Sequence, residues 1–79
     1  MEDLTHEVFK NKMTIQALQH LNATLVREIA YDMDSEDWDC VTLARIEKRA
    51  VQELLSEAFT AKSELNVLQL AYIKEQGNV

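Results

Sequence analysis

From Ser35 to Gln76 the chain runs without a proline or a glycine. Proline breaks a helix and glycine loosens one, so a stretch this long without either leaves it little choice but helix. Apolar residues recur along it in steps of three and four: Ile46, Ala50, Leu54, Ala58, Ala61, Leu65, Leu68 and Tyr72. That spacing gathers side chains on one face and predicts a helix over about 35–76. Ser63 could cap a separate C-terminal segment, but with no breaker beside it one continuous helix is expected. Gly77 followed by Asn78 supplies the stop.

The residues before this stretch predict a second helix over about 4–32, with Asp3 as its N-cap and early acids suiting the positive end of the dipole. Its apolar series is Leu4, Val8, Ile15, Leu18, Leu25 and Ile29, flanked by Phe9, Met13, Ala17, Leu21 and Val26. Asn11 and Asn22 fall in phase with the main series. Buried there, an asparagine would fix register at a cost in stability. The drift of a straight helix against a seven-residue repeat is expected to carry both to the stripe's edge instead.

No glycine separates the helices; the run Asp32-Met33-Asp34-Ser35-Glu36-Asp37 does. Negative charge opposes the end of one helix and favours the start of the next. Asp34 or Ser35 is the expected cap, with Asp39 as a rival one turn on. A connection this short turns the second helix back against the first. The fold class expected is all-α: an antiparallel helical hairpin forming a single domain over residues 1–79.

The chain has 79 residues, one cysteine and a net charge of −6. Cys40 has no partner for an internal disulfide, which fits a reducing compartment, and a small buried hydrophobe is its expected role. An acidic N-terminus without an apolar core is unlike a signal peptide, and no apolar run approaches the ~18 residues of a membrane span. A cytoplasmic, soluble protein with no membrane contact is therefore expected. The acidity is local. Five acids lie between Asp32 and Asp39 with no base, while the rest of the chain, nine acids against eight bases, is close to neutral.

A two-helix hairpin has one seam, and the apolar stripes are wider than one seam needs. Phe9, Met13, Leu21, Val26, Val51, Leu55, Phe59, Val67, Leu70 and Ile73 would leave several faces greasy. Pairing two hairpins into a four-helix bundle covers a second face, with Ala50, Ala58 and Ala61 allowing close approach. A homodimer is expected, with a tetramer the next size. Its oligomer core is assigned to Ile15, Leu18, Leu25, Ile29, Leu54, Ala58, Leu65 and Leu68.

The search for chemistry returns little. His6 and His20 stand about 21 Å apart along one helix, too far to share a metal. Cys40 has no histidine near it in sequence, and one glycine cannot build a phosphate-cradling loop. Asp32-x-Asp34-x-Glu36 begins like a calcium loop but has Asp37 where the glycine belongs and Leu43 where the final glutamate belongs. Catalytic, cofactor and metal sites are therefore assigned to no residue, and a non-enzymatic protein is expected.

What remains is contact. Trp38 among acids either closes the end of the bundle core, the expectation taken, or stays exposed as an anchor for a partner. Its acidic neighbours would steer a basic protein. Partner contact is assigned to Asp34, Glu36, Asp37, Trp38, Asp39, Arg45 and Arg49. The function expected is a small oligomeric inhibitor or antirepressor, of the phage or prophage kind, acting on a basic nucleic-acid-binding protein. Two antiparallel helices joined by an acidic turn also resemble the Rop-type plasmid regulators, RNA-binding helical hairpin dimers. The likeness lies in architecture, with no motif residue carried over. It implies a nucleic-acid binder using Lys10, Lys12 and the group Arg45, Lys48 and Arg49, which the acidic turn beside them disfavours. A structural subunit of a larger helical assembly is the third reading.

Overall fold

The computed structural model describes residues 2–77. They form two helices, α1 (Glu2–Asp34) and α2 (Trp38–Gly77), folded into an antiparallel hairpin measuring 64 × 15 × 14 Å. The all-helical hairpin is the one the sequence predicts. α2 is continuous: Ser63 caps nothing, and its Oγ donates to the Phe59 carbonyl one turn back at 3.3 Å. Asp3 is already inside α1 and so is not its cap, and Gly77 is still helical. Asn78 lies outside the described residues.

The turn is tighter and built differently from the expectation. Glu36 N donates to the Met33 carbonyl at 3.1 Å, and Asp37 N donates to the Asp32 carbonyl at 2.9 Å. These are the two bonds of a Schellman cap, which ends a helix on a left-handed residue. That residue is Glu36, at φ 58°, where a glycine is usual. Asp37, rather than Asp34, Ser35 or Asp39, then caps α2. Its carboxylate accepts from Cys40 N at 3.3 Å, and its carbonyl accepts from Val41 N at 3.0 Å. The acids of this stretch thus both close one helix and open the next.

The seam follows a seven-residue repeat. On α1 the inward positions are Leu4, Val8, Asn11, Ile15, Leu18, Asn22, Leu25, Ile29 and Asp32, in alternating steps of four and three. On α2 they are Val41, Ala44, Lys48, Val51, Leu55, Ala58, Ala61, Leu65, Gln69 and Tyr72. Among the described residues only Ile15, Leu25, Val41, Ala44, Val51 and Ala58 are buried, and none lies below 2% exposure. Leu25, Ala44 and Val51 form the centre, with Leu18, Ile29 and Leu55 packed against them.

The face expected for α2 is therefore corrected at four positions. Ile46 (62% exposed), Leu54 (50%) and Leu68 (55%) point outward, as does Ala50, whereas Val51 and Leu55 point in. Steps of four overshoot a turn by about 40°, so the run Ile46, Ala50, Leu54, Ala58 winds around the helix instead of staying on one side. The asparagines are corrected too. Both stay in the seam, half-buried, because the inward positions of α1 keep a strict repeat of seven. Asn11 Nδ2 donates across the hairpin to the Ala58 carbonyl at 3.0 Å, fixing the register. Asn22 Oδ1 is buried without a protein partner.

Candidate interaction surfaces

A seam on a repeat of seven leaves two flanks, one along each side of the ribbon, and residues seven apart share a flank. Shallow clefts beside the seam mark which residues share each one. One cleft is lined by Lys12, Gln16, Gln19, Phe59, Lys62 and Asn66 beside the seam residues Val8, Ile15 and Leu65. A second on the same side is lined by Gln52, Ser56, Phe59 and Ser63. The opposite cleft is lined by Glu7, Lys10, Thr14, Leu54, Glu57 and Ala61.

Stepping by sevens from those residues sorts the charges. The first flank takes Lys12, Arg45, Arg49, the seam lysine Lys48 and the exposed Lys62, and among the residues whose side chains are described the one acid bordering it is Glu53, paired with Arg49. The opposite flank takes Asp3, Glu7, Glu28, Glu47, Glu57, Glu64 and Glu75, with Lys10 as its one base among the described residues. Charges facing each other across the seam therefore share a sign. Among the described residues the sole ion pair is within α2, Arg49 to Glu53 at 3.7 Å, with both side chains well exposed. A pair of that kind contributes little to stability.

Both flanks are also apolar. The acidic one carries Leu21, Tyr31, Leu43, Leu54 and Leu68 exposed, spaced by alanines at 17, 50, 61 and 71. The basic one carries Phe9, Val26, Phe59, Leu70 and Ile73 exposed. Large apolar side chains sit outside while alanine, asparagine, lysine and glutamine occupy part of the seam. That is the reverse of a self-sufficient hairpin.

The residues assigned to partner contact divide in two. Asp34, Glu36, Asp37, Trp38 and Asp39 are all exposed in and around the turn. Trp38 is the first residue of α2 and 58% exposed, so it does not close the hairpin's core. Arg45 and Arg49 stand roughly 10 and 16 Å further along α2, on the basic flank. Of the residues assigned to an oligomer core, Ile15, Leu18, Leu25, Ile29, Ala58 and Leu65 line the hairpin's own seam, whereas Leu54 and Leu68 face outward on the acidic flank. Lys10 is separated from Lys12 and the arginines by the width of the ribbon.

Cys40 is exposed, not buried as expected. Asp37, through a hydrogen bond and its charge, with Asp32 and Asp39 adding to the field, holds the thiol above its ordinary pKa. His6 and His20 are exposed on α1, and among the described residues no three of His, Cys, Asp and Glu gather as metal ligands. No described helix is long and apolar enough to cross a membrane. The flanks were missed in the sequence because sorting charges by flank needs the right phase for α2, and the series in steps of four gave the wrong one. Comparison with known proteins found no matching family, no matching curated protein and no matching solved structure.

Proposed function

We propose that this chain is a small, non-enzymatic regulatory protein that works by helical contact. Copies pair as a homodimer into a four-helix bundle, with a tetramer as the next size. The bundle inhibits a basic nucleic-acid-binding protein in the cytoplasm, in the manner of a phage or prophage antirepressor. One observation carries the assembly: among the described residues fifteen large apolar side chains are exposed. The hairpin's surface of 6287 Å² compares with about 4,900 Å² for a globular monomer of its mass. The excess is of the order that each partner hides in an obligate homodimer, roughly 1,000 Å² or more.

The basic partner is supported by Trp38 standing free beside Asp34, Glu36, Asp37 and Asp39, an aromatic anchor inside an attracting field. The test is capture from the source cells with the whole chain as bait, followed by Trp38→Ala and by neutralisation of the turn acids. A basic protein retained by the wild type and lost by both variants is the expected result. Retention indifferent to both changes would remove the turn from the contact.

A second reading has its own observation. Lys12, Arg45, Lys48, Arg49 and Lys62 share a predominantly basic flank, which suits a phosphate backbone better than their sequence neighbours suggest. Retarded RNA or DNA at low salt, weakening as salt rises, would favour it over the protein-contact reading.

A further inference from the structure

The two flanks carry an unused complementarity. An antiparallel pair of helices ordinarily places opposite charges across its seam, and those pairs help set partner and orientation. Here one flank is predominantly basic and the other acidic but for Lys10, and no ion pair crosses the seam among the described residues. Both flanks are apolar as well. A basic, apolar flank and an acidic, apolar flank on opposite sides of one ribbon are suited to each other on different copies.

We propose that copies of this chain associate flank on opposite flank: the acidic flank built on Leu43, Leu54 and Leu68 seats on the basic flank of the next copy. This rests on the self-association proposed above but replaces its closed homodimer with a head-to-tail contact. The alternative, a two-fold dimer, must place a patch against itself. Acidic flank on acidic flank brings seven acids against seven, with one lysine on each side. Basic on basic brings five cations against five. Like-charge contact of that kind works against association. Stacking opposite flanks places Glu7, Glu28, Glu47, Glu57 and Glu64 near counter-charges, with Asp3, Glu75 and Lys10 outside the match, and covers leucines with phenylalanines.

The heights agree. Counted along the helices from the turn, Glu28 and Glu47 stand level with Arg45, Lys48 and Arg49. Further out, Glu57, Glu64 and Glu7 stand level with Lys12 and Lys62. Two hairpins joined this way make a four-helix layer that still has one free flank of each sign. A contact of this type continues to further copies or closes as a ring. The free acidic flank at one end is also a surface that a basic protein fits.

Two charge reversals test it. Lys12→Glu, Arg45→Glu and Lys62→Glu together turn the basic flank net acidic; Glu47→Lys, Glu57→Lys and Glu64→Lys together cancel the net charge of the acidic flank. All six positions are exposed. Particle mass by light scattering is the readout, with helicity followed by circular dichroism. Each variant alone should need about a hundredfold more protein to associate than the wild type, and an equimolar mixture should recover the wild-type assembly. A wild-type oligomer whose mass is untouched by either one of the reversals overturns the proposal, because its contact then uses one flank only. A wild type that stays a single hairpin at high concentration overturns self-association itself, a distinguishable failure. If a variant loses its helicity, zero-length carbodiimide coupling of mixed isotopically light and heavy wild-type chains decides instead. Links between copies joining Lys12, Lys48 or Lys62 to the glutamates of the acidic flank are expected, and an oligomer without them refutes the arrangement.

Discussion

Asn22 and Asn11 occupy equivalent seam positions, yet replacing them with leucine should give different results. Leucine keeps the branched outline of asparagine while removing its polar atoms. At Asn22 the Oδ1 is buried with no protein partner, a condition that costs about 1–3 kcal/mol. Asn22→Leu removes that cost and adds apolar contact beside Leu55 and Phe59, which line the same cleft. Stability should rise by about 1–3 kcal/mol, or several degrees or more in Tm for a chain of this length. At Asn11 the amide spends a 3.0 Å bond on the Ala58 carbonyl. Asn11→Leu forfeits that bond, so its gain should fall short of the Asn22 gain by about 1 kcal/mol. Thermal unfolding followed by circular dichroism, at one fixed protein concentration for all three proteins, measures the difference. Equal shifts for the two variants, or a destabilised Asn22→Leu with unchanged helicity, would refute the reasoning that separates a bonded from an orphaned seam asparagine.

Three further outcomes are expected. Glu36→Gly relieves a left-handed residue that carries a side chain, and should stabilise the hairpin by about 0.5–1 kcal/mol in urea titration; a loss of stability would mean that Glu36 holds the turn by something other than its backbone. Asp37→Ala should cost about 1 kcal/mol by removing the α2 cap, whereas Asp37→Asn should keep most of it. The same Asp37→Asn change should speed alkylation of Cys40 near neutral pH: a raised thiol pKa means less thiolate at a given pH, so weakening the acidic field moves the reactivity midpoint down, and an unmoved midpoint would count against Asp37 as its cause. Leu25→Ala should cost about 2–5 kcal/mol, measured by the same urea titration, because Leu25 is the most buried residue of α1 and contributes to the centre of a six-residue core.

α1 could be read from the sequence because its apolar residues step by four and three from Leu4 to Ile29, and the two asparagines sit where that repeat puts them. α2 could be recognised as a helix, and as one helix, from its freedom from Pro and Gly, but its inward face could not be chosen. Apolar residues surround it, and several interleaved series satisfy a helical spacing. Only the packing partner selects Val41, Ala44, Val51 and Leu55 over Ile46, Ala50 and Leu54. The turn's position was visible in the acid run, but its geometry was not, since a Schellman cap on glutamate lacks the glycine that normally announces it. Trp38 could be singled out as unusual among acids, while its exposure depends on α2 starting at residue 38 and not three residues earlier.

The seam shows why an isolated hairpin is a poor end point for folding. Asn11, Asn22, Asp32, Lys48 and Gln69 take inward positions that a self-sufficient pair of helices would give to aliphatic residues, and Ala44, Ala58 and Ala61 offer little area. Phe9, Ile46, Leu54, Leu70 and Ile73 meanwhile remain in water. A sequence that spends its larger apolar residues outside gains more from a neighbour than from its own return helix. Folding and association are then one equilibrium, and the apparent stability rises with protein concentration. Polar seam positions and apolar flanks follow from the same requirement: the seam has only to hold register, through contacts such as Asn11 to Ala58, while the flanks supply the area.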